Sequence, residues 1–401
     1  MDFELIRSLN RPADTKMLLL VLDGLGGLSI DAQDLTELEK AETPNLDELA
    51  QKSICGLHQP IGPGITPGSG PSHLALFGYD PVRYQVGRGV LAALGINFDL
   101  KQSDVAARGN FCTVEKNGKV TDRRAGRIPS EKNRELCEKL RKIDIPDVEI
   151  FVDTVKEYRF LLILRGENLS GSLTDTDPQN TGLKPVPPKP LGSEARHTAE
   201  IVEQFIDKAR DVLAQDHPAN MVLMRGFSQK PDWPVFPEIF GIKAAAIAAY
   251  PMYRGVSRLV GMDVLETGEN LEDEMETLEK NWKDYDFFYF HIKKIDSAGE
   301  DGDYNRKVAL IEEADAAIAR IMKLKPDVVV VTGDHSTPSL MKSHSWHPVP
   351  VLLWSRYCRS DSVNRFGERA CMAGGLGPRL PTIDLIPLMM ANAGRIEKFG
   401  A

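Results

Sequence analysis

The chain has 401 residues, 42% of them hydrophobic, with a formal net charge of −9. That length exceeds the size at which a single hydrophobic core stops growing, so two domains, or one domain carrying a large insertion, are expected. The acidic balance leaves no electrostatic footprint for nucleic acid, and the longest apolar runs, MLLLVL and VVVV, fall far short of the roughly 18 residues that a membrane span needs.

The first segment, MDFELIRSLN, is acidic and polar rather than signal-like, which makes a soluble cytoplasmic protein the expectation. A strand-like run follows, MLLLVLDG at 17–24, ending on Asp23, and then a helix-like TPNLDELAQKS. The stretch GPGITPGSGPSHLALFGYDP at 62–81 sets Ser69 in a small-residue loop just before the helix-like HLALFG. Unpaired N–H groups at a helix start favour an anion, and a serine there suits a phosphate anchor or a nucleophile. No serine–histidine–aspartate spacing surrounds it, so a metal is the expected activator. Ser72 is the rival serine, and a plain Gly/Pro/Ser loop is the alternative.

From about residue 105 the pattern changes to shorter strands (NFCTVEKNGKVTD, YRFLLILRG, MVLMRG), a Pro-rich loop KPVPPKP and scattered arginines. We read 105–234 as an inserted, smaller α/β domain and 1–104 with 235–401 as the core domain. The core resumes with AAAIAAY at 244–250, FFYFHIKKID at 287–296, the helix-like RKVALIEEADAAIARIMKLK, and VVVVTGDH at 328–335. A helix-like TIDLIPLMMANAGRI follows near the end. Continuous apolar strands alternating with helices predict an α/β fold whose parallel sheet is covered on both faces. Ligands in such sheets sit at the carboxyl ends of strands, where Asp23, Asp296 and Asp334 fall.

Two further segments carry chemistry. In VVVVTGDHSTPSLMKSHSWHPVPVLLW, residues 328–354, Asp334, His335, His344 and His347 lie between two strand-like runs. Carboxylate with imidazole suits Zn²⁺ or Mn²⁺. In KIDSAGEDGD, Asp296 and Glu300 stand four apart, so a helical turn would bring both to one face; a solvated acidic loop is the alternative. Asp23, Asp296, Glu300 and Asp334, brought together, would repel one another unless cations held them ionised. The five cysteines are odd in number and scattered, without a CxxC pair, and read as ordinary buried thiols.

Taken in order, DG, GSGPSH, KKIDSAGE, TGDH and HSWHPVP resemble the alkaline phosphatase superfamily in its cofactor-independent phosphoglycerate mutase branch, archaeal type. HLALFGYDP, GRGVLAALG, DRRAGRI, LRGENLSGSLTDTDP and the tail ERACMAGGLG through EKFG extend the likeness over essentially the whole chain. The resemblance implies an alkaline phosphatase-like core and interconversion of 3-phosphoglycerate and 2-phosphoglycerate, a step of glycolysis and gluconeogenesis, through a phosphoserine and without bisphosphoglycerate. It implies two divalent ions, Mn²⁺ or Zn²⁺, with Mg²⁺ and Co²⁺ as further candidates. One would be held by Asp23, Ser69, Asp334 and His335, the other by Asp296, Glu300 and His344. The family serine precedes a histidine by four positions, as Ser69 precedes His73, which favours Ser69 over Ser72. Where many relatives have histidine in D-x-x-x-H, this chain has Glu300, which favours a harder ion.

A mutase must also hold a carboxylate and a phosphate. Arg123, Arg124 and Arg127 of DRRAGR, Arg165, Asp175 and Arg225 of the insertion, with Arg254 and His347 of the core, are the candidates, Arg165 and Arg225 foremost. The expected partner is a small phosphorylated molecule; the oligomeric state is left open. A phosphomonoesterase or phosphonate hydrolase of the same superfamily, and a silent binding protein of the same fold, are the rival readings.

Overall fold

Thirteen strands lie among the described residues, which are 2–29 and 35–400 of this computed structural model. In chain order they are β1 (Met17–Leu22), β2 (Ile54–Gln59), β3 (Val105–Val114), β4 (Val120–Asp122), β5 (Glu149–Lys156), β6 (Arg159–Arg165), β7 (Met221–Ser228), β8 (Ala244–Ile247), β9 (Asp263–Val264), β10 (Phe287–Ile292), β11 (Val328–Thr332), β12 (Val349–Ser355) and β13 (Gly377–Pro381). The chain divides into two units, Met1–Gln85 with Pro234–Ala401, and Val86–Trp233.

The first unit is built on an eight-stranded sheet in the order β13-β2-β12-β11-β1-β10-β8-β9. Strands β11, β1, β10, β8 and β9 run parallel. Every residue of β1, β10 and β11 is buried, which is what a strand apolar on both sides requires. The sheet is not parallel throughout: β12 runs antiparallel to both β11 and β2. Between β11 and β12 the chain forms no helix that could carry a parallel crossover, so it returns alongside the strand it has just left. Met17 pairs with both Phe287 and Val328, so β1, β10 and β11 end level. That register brings the residues after Leu22, Ile292 and Thr332 to one edge of the sheet.

The second unit is an antiparallel sheet in which β3 pairs with β4, β6 and β7, and β5 extends it beyond β6. The helices Ser130–Leu140 and Arg196–Leu213 add their apolar faces to a core that includes Phe111, Phe160 and Phe205. The boundary expected at about residue 105 falls earlier, at residue 86. The helix Arg88–Gly95 packs on β3 and β7, and so closely that a Cβ on Gly89 would stand 2.2 Å from the carbonyl oxygen of Ala106. Its apolar sequence, RGVLAALG, carries no signal of which core it joins.

Candidate metal centre

Asp23 leaves β1 fully buried, its N–H bonded to the carbonyl of Ile292 at 3.0 Å. Gly24 follows at φ +66°, and a Cβ there would lie 2.7 Å from Thr337 Oγ1 and 2.9 Å from Asp296 Cα, so the tight turn needs glycine. The Gly24 N–H donates to Asp334 Oδ1 at 3.1 Å, tying the end of β1 to the residue two beyond β11. His335, equally buried, points Nε2 at Asp334 Oδ2 (3.1 Å) and Asp23 Oδ1 (3.6 Å).

Ser69 is the first residue of the helix Ser69–Leu76, behind Gly68, and its Oγ lies 3.3 Å from the same Nε2. At that position the N–H groups of the first turn have no partners within the helix and favour a developing anion. A second group forms beside the first: His344 Nε2 stands 3.7 Å from Asp296 Oδ1, and its ring stacks on His335 with centroids 3.6 Å apart. His344 is steadied by its Nδ1, 3.0 Å from the carbonyl of Pro67. Ligand atoms of Asp23, Asp334 and His335, and those of Asp296, His335 and His344, thus converge closely enough for each set to hold a cation.

The donor chemistry fits divalent ions. Asp23 Oδ1 and Asp334 Oδ2 are buried and accept no well-aligned hydrogen bond, facing only ring nitrogens such as His335 Nε2, a costly arrangement unless something positive engages them. Burial raises the Asp23 carboxyl, yet Lys293, His291 and His335 together hold it well below the usual carboxylate range. Burial also opposes charge on His335, but Asp334 and Asp23 bring it up to about 9. Lys293 is driven above its ordinary value in the same way, against burial, by Asp23 and Asp296, which its Nζ contacts. The cluster therefore collects cationic side chains around its carboxylates, and a dication would meet the same demand.

The remaining candidates separate. Glu300 is exposed, one turn after Asp296 on the helix Lys294–Asp301, and lies outside both converging groups. His347 stacks on Trp346 and bonds Ser345 Oγ at 3.0 Å. Arg254 pairs with Glu266 while its Nε is buried without a partner. In the second unit, Arg225 lies 3.5 Å from both Asp175 and Asp177, and Arg123 grips Asp177 through two bonds of 2.8 and 2.6 Å. Arg124 and Arg127 are exposed. Arg165 is committed elsewhere: it clamps the fully buried Asp104 at 2.8 and 2.7 Å and lies over the ring of Phe151.

Several residues of the centre escaped the sequence. His291 Nε2 sits 3.3 Å from Asp23 Oδ2, the Tyr253 hydroxyl donates to that same oxygen, and the two rings lie tilted at 31° with centroids 3.7 Å apart. His73 Nδ1 lies 2.8 Å from the Ser69 carbonyl and 3.4 Å from Asp334 Oδ2, and burial lowers its pKa to about 4. Lys293 and His291 stand in FFYFHIKKID, where a histidine inside an otherwise apolar run and a lysine just after it were the available signal; Tyr253 had none.

A family model described as 2,3-bisphosphoglycerate-independent phosphoglycerate mutase matches residues 50–220. A protein of Thermus thermophilus, named a probable 2,3-bisphosphoglycerate-independent phosphoglycerate mutase, is 50% identical over 100% of this chain and 99% of its own length. A protein of Aquifex aeolicus with the same name is also 50% identical, over 99% of this chain and all of its own. Among solved structures, a protein from Pyrococcus horikoshii is 35% identical with a TM-score of 0.84, covering 96% of this chain and 99% of its own. A cofactor-independent phosphoglycerate mutase from Thermoplasma acidophilum is 31% identical with a TM-score of 0.69, covering 95% and 100%.

Proposed function

Because this chain belongs to the family of 2,3-bisphosphoglycerate-independent phosphoglycerate mutases, we propose that it interconverts 3-phosphoglycerate and 2-phosphoglycerate with Ser69 as the transiently phosphorylated residue. The observation that carries the role of Ser69 is its placement: Oγ is 3.3 Å from His335 Nε2, at a helix start, beside the buried Asp23 and Asp334. Ser72, the rival, is fully buried inside the same helix and its Oγ has no partner, which leaves it without an activating group.

One ion would be held by Asp23, Ser69, Asp334 and His335, the other by Asp296 and His344 with Glu300 completing the set from the next helical turn. Bound there, the ions would lower the pKa of the serine hydroxyl and balance charge on the transferring phosphoryl group. The protein's own part is positional. The first turn of Ser69–Leu76 offers N–H groups to phosphoryl oxygens, and Lys293 adds a cation at the same edge of the sheet. Within the second unit, Arg225 and Arg123, prealigned by Asp175 and Asp177, offer planar forks that suit a carboxylate or a phosphate; within the first, Arg254 and His347 are the candidates for an anion.

The test is isomerisation of 3-phosphoglycerate by the purified protein with Mn²⁺ or Zn²⁺ and no bisphosphoglycerate, with free phosphate followed alongside. Net isomerisation with little phosphate release is expected. Release of phosphate as the main outcome would make the protein a hydrolase instead.

A further inference from the structure

Thr337 is fully buried two residues beyond His335, and its one hydroxyl touches both ligand groups. Oγ1 donates to Asp296 Oδ1 at 2.7 Å and lies 3.0 Å from His335 Nδ1. A threonine hydroxyl has a single proton, and an ionised carboxylate only accepts. With that proton given to Asp296, Oγ1 can only accept from His335, so Nδ1 keeps its hydrogen, and an ion bound in place of the ring's second proton would find the lone pair on Nε2. Nε2 is the atom that faces Asp23, Asp334 and Ser69.

Thr337 is itself held rigidly. Its N–H donates to the carbonyl of Gly26 at 3.0 Å, and its own carbonyl accepts from the ammonium of Lys307 at 2.9 Å. Lys307 is fully buried and binds the Gly26 carbonyl too, at 3.0 Å, so one lysine fastens the loop after β1 to the loop after β11. On its other side Thr337 presses on Gly299, where a Cβ would stand 2.2 Å from the threonine carbonyl oxygen.

We infer that Thr337 is a positioning residue that fixes the tautomer of His335, and so assigns it to Asp23, Asp334 and Ser69, while the same hydroxyl anchors Asp296 for the second ion. This rests on the two-metal reading above. It predicts that the two ion sites are coupled through one side chain that ligates neither ion, because such supporting hydrogen bonds set the orientation of the ligands.

The experiment is calorimetric titration of metal-stripped protein with Mn²⁺ and with Zn²⁺, in the wild type, Thr337→Val and Thr337→Ser. Loss of the hydroxyl in Thr337→Val is expected to weaken both ions by about 10–100-fold. Thr337→Ser, which keeps it, is expected to bind close to wild type. Equal binding by wild type and Thr337→Val, or equal damage from valine and serine, would overturn the inference. Should Thr337→Val fail to fold, ¹⁵N-histidine NMR of Zn²⁺-loaded wild type decides: a protonated Nδ1 on His335 supports the role and a ligating Nδ1 overturns it. A wild type that takes up fewer than two ions would instead overturn the two-metal reading, and this inference with it.

Discussion

Ser69 and Ser72 differ by less than one helical turn, yet their surroundings give them unequal chemistry. Ser69 opens its helix beside His335, whereas Ser72 is buried within it. Under the proposed phosphoserine role, removing the Ser69 hydroxyl would take away the group that is phosphorylated without disturbing packing. Ser69→Ala should therefore lower kcat by about 10⁴-fold or more, as loss of a nucleophile does elsewhere, with an unchanged melting temperature for the metal-stripped protein. Turnover retained by this variant would move the role to another group. Glu300 poses a second question at this scale. It shares a helix face with Asp296 but is exposed, so its bond to the second ion would be the weakest of that set. Titration calorimetry of Glu300→Ala should show one of two ions weakened by about tenfold, on the scale of a lost ligating or supporting group. Glu300→His should shift preference from Mn²⁺ towards Zn²⁺, since imidazole is the softer donor. Two undisturbed ions in Glu300→Ala would remove it from the site.

At the scale of elements, the strands were legible and their company was not. The apolar runs of β1, β10 and β11 announced buried parallel strands, and Asp23, Asp296 and Asp334 stood at their carboxyl ends. The antiparallel β12 was hidden, because direction depends on the length and packing of the connection rather than on hydrophobic pattern. Tyr253 and Thr337 were hidden for a related reason: each matters through a lone hydroxyl, Tyr253 on Asp23 and Thr337 on Asp296 and His335, and a lone hydroxyl gives no periodic signal. A buried carboxyl on the helix Leu271–Asn281 was equally silent. Burial pushes Glu274 up to about 8 against the opposing pull of the Ala249 N–H and Lys294. An acid raised above its ordinary 4.5 holds its proton more tightly when folded, so its contribution is full below 4.5 and fades as pH rises to about 8. His58, lowered to about 4 by burial from 6.5, runs the other way, its contribution present above 6.5 and lost as pH falls through 4. The two oppose between 4.5 and 6.5, and above that only the glutamate's trend continues. Urea melts of metal-stripped protein should show Glu274→Gln shallower than its parent between pH 6.5 and 8, by about 2 kcal/mol. Parallel slopes would mean that Glu274 does not carry the effect.

At the scale of the molecule, under the proposed mechanism, what would separate a mutase from a phosphatase is not the first transfer to serine but the retention of the dephosphorylated glycerate until it takes the group back. Retention calls for anion-binding groups whose loss leaves the serine chemistry standing, and the two arginines foremost in the sequence divide on this point. Arg225 keeps only long contacts to Asp175 and Asp177, with a further 3.3 Å bond to Gln179, and under the proposed function would exchange them for a substrate anion. Arg165 is locked on Asp104 by two short bonds, and its guanidinium covers Phe151, so it serves the second unit's own packing. Two variants should then fail in different ways. Arg225→Ala should cut isomerisation by about 10²-fold, the scale on which a misplaced reactant costs rate, and raise the fraction of turnovers that end in free phosphate. Its stability should be little changed. Arg165→Ala leaves a buried carboxylate unpaired and should cost about 3 kcal/mol of stability, with the ratio of isomer to phosphate as in the parent. Paired ³¹P NMR product ratios and urea melts read both outcomes at once. An Arg225→Ala enzyme that slows without any rise in phosphate would show that retention depends on other groups.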